Sequence, residues 1–186
     1  MKRVFDFLIA LIVLLILLLP MLVIAAVIKT SSKGPALFWS DRVGINNTIF
    51  KMPKFRTMFT NTPDIATHLL ENADSYLTPV GPLLRKYSLD ELPQLWSILK
   101  GDMSFVGPRP ALHNQDDLIT IRTAMGVHRL IPGITGWAQI NGRDEISIPA
   151  KVEYDEYYMQ HQSFFFDLKI LWLTFAKVLK SENIQH

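Results

Sequence analysis

Residues 7–28 read FLIALIVLLILLLPMLVIAAVI, a block of 22 positions without a charge. At ~1.5 Å per residue a straight helix over them reaches ~33 Å, enough to cross the hydrocarbon of a bilayer. Pro20 complicates that reading. It cannot donate to the carbonyl of Ile16 and its ring crowds the same turn, so it kinks or breaks the helix. Phe5–Leu19 before it is too short to cross alone, and Met21–Ile28 is shorter still. Lys2 and Arg3 precede the block, and Lys29 and Lys33 follow it. By the positive-inside tendency both ends prefer the cytosol. A helix-break-helix that enters, bends at Pro20 and returns satisfies both observations. A single spanning helix is the competing expectation, because neighbours can re-satisfy the backbone around a membrane proline. The block exceeds the ~7–15 apolar residues of a signal peptide and lacks a small-residue cleavage pattern, so no cleaved leader is expected.

The rest of the chain has ordinary polarity. Of 186 residues 49% are hydrophobic and 19% charged, and the apolar excess sits almost wholly in that one block, which excludes a polytopic membrane protein. Aromatic and apolar residues elsewhere exclude disorder. Lys+Arg 19 against Asp+Glu 17 is too even for a nucleic-acid binder, so no nucleic-acid partner is expected. With no cysteine there is no disulfide, thiolate nucleophile or Cys-based zinc site. The histidines at 68, 113, 128, 161 and 186 show no metal-ligand spacing.

Working outward, Ser31-Ser32-Lys33-Gly34-Pro35 is a turn cluster that divides residues 1–30 from a domain over 31–186. Ala36–Met58 predicts a small β-hairpin turning at Asn46-Asn47. Thr60–Asp74 reads as a polar surface connection with a helical patch over Ile65–Leu70. Helices are predicted over Ser88–Lys100, stopping at Gly101, over Asp116–Met125 and over Phe164–Lys180. In the last, Phe165, Leu168, Trp172, Phe175 and Leu179 recur at three- and four-residue spacing with lysines elsewhere on the wheel. That stripe suits either a globular core or a helix lying in the lipid headgroup plane. The fold class is therefore mainly α with a small β-hairpin.

The densest chemistry is Arg85-Lys86-Tyr87-Ser88-Leu89-Asp90-Glu91-Leu92-Pro93-Gln94-Leu95. Ser88 and Glu91 have capping-box spacing, and Leu92, Leu95, Trp96 and Leu99 form an inward stripe. On one reading Asp90 and Glu91 only stabilise a helix start. On the other, carboxylates at a helix N-terminus beside Arg85 and Lys86 have lowered pKa values and serve as nucleophile or hard-metal ligand. Cations recur at turns and element ends: Lys54 and Arg56, Arg85, Arg109 within Gly107-Pro108-Arg109-Pro110, and Arg143 after Gly142. Guanidinium forks match phosphate oxygens, and glycines at 133, 136 and 142 let backbone amides approach an anion. Together with an acidic pair these fit diphosphate chemistry.

These segments resemble the bacterial sugar transferases, small monotopic phosphoglycosyl transferases. The resemblance is carried by Lys2–Asp6, Lys54–Met58, Ser88–Leu95, Leu99–Pro110, Pro132–Gln139 and Gly142-Arg143. It runs in order through nearly the whole chain except Phe59–Asp74, with Ser97 where the family often has Asn. It implies a catalytic Asp90-Glu91 dyad with a Mg²⁺ requirement and both carboxylates as metal ligands, Glu91 supporting the metal, orienting Asp90 or transferring a proton, with phosphate binding by Lys54, Arg56, Arg85, Arg109 and Arg143. It also implies a monotopic protein with a re-entrant N-terminal helix and interfacial amphipathic helices, on the cytosolic face of the bacterial inner membrane. The implied partners are a UDP-sugar, with an N-acetylated amino sugar expected, polyprenol phosphate, membrane lipids and downstream glycosyltransferases. Asp90 would attack the β-phosphate, release UMP and pass the phosphosugar to polyprenol phosphate. A membrane-tethered metal-dependent diphosphate hydrolase and a non-catalytic module docking on anionic lipid are the alternatives.

Overall fold

A computed structural model describes residues 2–63, 72–142 and 146–180. Among these the order is α1 (Lys2–Ser31), β1 (Leu37–Val43), β2 (Ile49–Phe55), α2 (Gly81–Lys86), α3 (Leu95–Lys100), β3 (Ser104–Val106), α4 (Asp116–Ala124), β4 (Gly133–Thr135), α5 (Trp137–Ile140), α6 (Ile148–His161) and α7 (Phe164–Lys180). The chain is mainly helical with a small antiparallel hairpin, as its sequence predicts. The patch expected at Ile65–Leu70 lies outside the described residues.

α1 is long and apolar enough to cross a membrane. It carries Pro20 inside one continuous helix, so the expected division into two helices is corrected. The fixed φ of proline suits a helix, and only one backbone bond is forfeited. Both ends of α1 are tied to the same body. Lys2 pairs with Asp167 of α7, and Arg3 donates to the carbonyls of Ile98 and Leu99 at the end of α3. Asp6 is buried and accepts from Ser104 Oγ at 2.7 Å, and Ala10 is enclosed with Met52, Leu95, Ile98 and Met103. At the other end Ile28 is fully buried against Phe55 and Leu84, with Met21, Ile24 and Ala25 packed on that cluster. Between these anchorages Leu15, Ile16, Leu19 and Leu22 are exposed, Leu19 to 71%.

β1 and β2 pair in antiparallel register from Leu37↔Phe55 to Val43↔Ile49. Asn46 and Asn47 make the turn with φ of 52° and 58°, a left-handed conformation that asparagine tolerates. β2 packs its inner face on residues 89–94, which brings the hairpin under the acidic pair. β3 and β4 form a short parallel pair, Ser104↔Gly133 and Val106↔Thr135, which the sequence reading does not anticipate. Two three-residue strands are too short to carry a period. What makes the pairing possible is close backbone approach: a Cβ at Gly133 would fall on the Gly107 nitrogen, and one at Gly136 on the Gly107 carbonyl oxygen.

α6 is also absent from the sequence reading. Its start is marked by Ser147, whose hydroxyl accepts from the Ala150 amide, and by Pro149 in the first turn. In α7 the predicted stripe turns outward. Phe165 is 81% and Trp172 68% exposed, with Leu168 and Phe175 also exposed, while Ile170 and Asp167 face the body. Phe5 of α1 meets Phe164 edge-on at 5.4 Å, so the first turns of α1 and α7 lie side by side.

Candidate active site

Asp90 and Glu91 sit in a 3₁₀ turn, Leu89–Gln94, that feeds directly into α3. The single α-helix expected from Ser88 is corrected. Pro93 has no amide to give Leu89, and the tighter three-residue bonding of a 3₁₀ turn accommodates that loss. The capping box is corrected too. Ser88 adopts a left-handed φ of 53° and its side chain makes no cap bond. Leu95 and Ile98 hold the inner face of α3, whereas Trp96 is 52% exposed and leaves the predicted stripe.

Long-range partners claim the Glu91 side chain. Its Oε1 accepts from Lys54 Nζ of β2 at 3.0 Å and from Arg109 Nη2 at 2.8 Å. Both carboxylates are largely buried, but their charge environments differ. Burial works to raise the Glu91 pKa, yet Arg109 and Lys54 prevail and hold it well below the usual carboxylate range. Asp90, 8% exposed, goes the other way. Burial raises its pKa, and neighbouring Glu91 adds to that, against the pull of Lys54, Arg85 and Arg109. The lowered value expected for Asp90 is therefore corrected, because desolvation exceeds cation attraction there. Burial also lowers the pKa of Lys54 and of Arg85.

Of the predicted cations, Lys54, Arg85 and Arg109 gather around the acidic pair. Arg85 Nε donates to Thr57 Oγ1 at 3.0 Å. Arg56 is not brought there. It is 4% exposed, with Nε on the Pro35 carbonyl at 2.6 Å and Nη2 on that of Ser32 at 3.1 Å, so it ties the exit of α1 to the end of β2. Arg143 lies outside the described residues.

Sequence reasoning missed the groups that hold the Arg109 loop. Arg122 Nη1 donates to the Arg109 carbonyl at 2.8 Å, and Arg42 Nη1 to that of Pro110 at 3.2 Å. The available signal was Arg122 four residues after the buried Leu118, on the inward side of α4.

Among the described residues no group of three or more His, Cys, Asp or Glu side chains gathers to cage a metal. Mg²⁺ requires no such cage, since one or two carboxylates with substrate phosphates and water suffice. The Asp90-Glu91 pair fits that donor set.

The model of the family described as bacterial sugar transferase matches residues 1–181. The chain belongs to the bacterial sugar transferase family. The transferase is 46% identical over 185 residues to the uncharacterized sugar transferase EpsL of Bacillus subtilis (strain 168), covering 100% of this chain and 90% of that one. It is 40% identical over 200 residues to the undecaprenyl-phosphate glucose phosphotransferase of Komagataeibacter xylinus, covering 98% of this chain but 36% of that protein. It is also 37% identical to the UDP-N-acetylgalactosamine-undecaprenyl-phosphate N-acetylgalactosaminephosphotransferase of Aeromonas hydrophila, over 96% of this chain and 43% of that one. The sugar transferase thus spans less than half the length of these two relatives.

Proposed function

We propose that this sugar transferase moves a sugar-1-phosphate from a UDP-sugar to undecaprenyl phosphate through a covalent intermediate on Asp90. The observation that carries the reading is the split dyad, in which Glu91 makes the close ion pairs with Lys54 and Arg109 while Asp90 is buried beside them and feels these cations and Arg85 only through space. A desolvated carboxylate is a better nucleophile than a solvated, ion-paired one, and cations already in place accept charge without reorganisation.

In the first step Asp90 Oδ attacks the β-phosphorus. The bond from that phosphorus to the bridging oxygen breaks, and UMP leaves with the oxygen. In the second, a phosphate oxygen of undecaprenyl phosphate attacks the same phosphorus and frees the Asp90 carboxylate. Lys54 and Arg109 hold the phosphoryl oxygens, and Arg85 and Arg143 are proposed to complete the phosphate contacts. Glu91 orients the two cations. Mg²⁺, held by Asp90 and Glu91 together with substrate phosphate, would neutralise charge on the diphosphate. The names of the relatives include both glucose and N-acetylgalactosamine transferases. An N-acetylated amino sugar is the proposed donor, with glucose its competitor.

The protein is proposed to be monotopic at the cytosolic face of the bacterial inner membrane, with α1 re-entrant. Supporting this, Ala10 and Ile28 are both fully buried against one body while the middle of α1 is uncovered. Both ends packed on one body is the arrangement expected of a segment that returns to the side it entered. The outward stripe of α7 would lie in the headgroup plane, where lipid acceptor and soluble donor meet. Downstream glycosyltransferases would extend the product.

The test is purified protein incubated with a panel of nucleotide sugars, with and without undecaprenyl phosphate, following UMP and lipid-linked sugar. Without lipid at most one UMP per enzyme is expected, and continued formation of both products only with the lipid added in excess over enzyme. Sustained UMP formation without lipid would mean a hydrolase.

A further inference from the structure

Four successive backbone carbonyls of the loop that presents Arg109 are each taken by a different partner. Pro108 accepts from the Gly133 amide at 2.9 Å, Arg109 from Arg122 at 2.8 Å, Pro110 from Arg42 at 3.2 Å, and Ala111 from the Val43 amide at 3.0 Å. Arg122 differs from the other three donors in being itself a deeply buried charge, 7% exposed. Its Nε and Nη2 reach Asp155 Oδ2 of α6 at 3.0 and 2.6 Å, and Asp155 is 1% exposed. Burying such a pair is costly, and apolar residues of similar volume often serve stability as well or better. A rigid fork does what apolar residues cannot, since two nitrogens lock onto Asp155 and the third is aimed at the Arg109 carbonyl.

We propose that Arg122, oriented by Asp155, is a positioning residue for phosphoryl transfer, fixing the Arg109 backbone so that the Arg109 guanidinium stays at the dyad. The catalytic part rests on the proposed function, whereas the placement of Arg109 can be read without it. Displacement of a phosphate-holding group by about 1 Å costs on the order of 10²-fold in rate.

The experiment is a double-mutant cycle on the full chain in membranes, with Arg122→Lys, Arg109→Ala and both together. Lysine keeps the charge beside Asp155 but has no fork to reach the Arg109 carbonyl as well. Arg122→Lys is expected to lower kcat/KM by about ten-fold or more alone, and to add little once Arg109 is alanine. Equal losses in both backgrounds would overturn the proposal, since a merely structural defect acts independently of Arg109. Hydrogen exchange at the amides of Gly107, Arg109 and Ala111 gives a readout without substrate. Faster exchange there in Arg122→Lys, with β1 and β2 unchanged, is expected, and unchanged exchange overturns the proposal. If Arg122→Lys does not fold, Asp155→Asn replaces it in both measurements with the same expected signs. Should the wild type transfer no sugar phosphate from any donor, the proposed function fails, and the exchange measurement still decides whether Arg122 places Arg109.

Discussion

Asp90 and Glu91 are adjacent in the chain and share the same cations, yet their pKa values move in opposite directions. Two cations sit on Glu91 Oε1 at 3.0 and 2.8 Å, and Asp90 is buried where desolvation outweighs their attraction. Arg109 and Lys54 hold Glu91 ionised, while Asp90, its pKa raised, is the group proposed to react.

A pH dependence follows from that difference. Attack needs ionised Asp90, and its pKa lies above the ordinary aspartate value of about 3.9, so activity is lost as pH falls through a correspondingly higher range. Glu91→Gln removes a negative neighbour and leaves Lys54 and Arg109 unneutralised. Both changes lower the Asp90 pKa. Carboxyl-carbon NMR titration of Asp90 reads this without turnover, and an upward shift in Glu91→Gln would contradict the assigned environment.

Asp90→Asn should abolish transfer without lowering Tm. Folding disfavours the charged form of this side chain, because its folded pKa is raised, and the amide removes that penalty at neutral pH. Circular dichroism melts paired with the transfer assay check it. A Tm drop of many degrees would make Asp90 a structural group instead.

Arg109→Ala should cost far more activity than Lys51→Ala. A hydrogen bond to a charged group contributes about 1.5–3 kcal/mol, roughly ten- to a hundred-fold in rate if realised in the transition state. Lys51 pairs with Asp41 at the surface, where such bridges contribute little. Steady-state kinetics of the two variants decides it. Equal kinetics would place the phosphate elsewhere.

How much of this was legible in the sequence depended on how far apart the partners lie. The hairpin was readable because Asn46-Asn47 is a local turn signal between β-type residues, and the acidic pair because its neighbours are local too. Ser88 was misread, since a capping box assumes that Glu91 looks back along its own turn. Lys54 and Arg109, from elsewhere in the chain, claimed it instead. Arg56 looked like a phosphate ligand until the fold brought the Ser32 and Pro35 carbonyls to it. The Arg122–Asp155 pair joins two helices whose individual patterns say nothing of each other.

The cysteine-free background allows α1 to be mapped directly. Val4→Cys and Lys29→Cys sit at exposed positions near its two ends. Both are expected to react with an impermeant thiol reagent applied from the cytosolic side of sealed membranes. Labelling on opposite faces would mean a spanning helix.

Phe165→Asp places a charge on the outward side of α7, at a position already 81% exposed. Binding to anionic vesicles should weaken while Tm changes little, as measured by co-sedimentation and thermal unfolding. A large loss of Tm with binding intact would mean that the stripe packs on protein.

The double anchorage of α1 bears on how the chain matures. Phe55, Leu84, Leu95 and Ile98 are covered in part by α1 residues, so the water-facing portion does not own a finished interior. A ribosome releasing this polypeptide away from a bilayer would leave those side chains and the apolar helix bare together, an invitation to proteolysis or aggregation. With α1 seated in the membrane as proposed, arrival at the lipid becomes the last stage of folding, and active enzyme would accumulate only where the proposed acceptor resides.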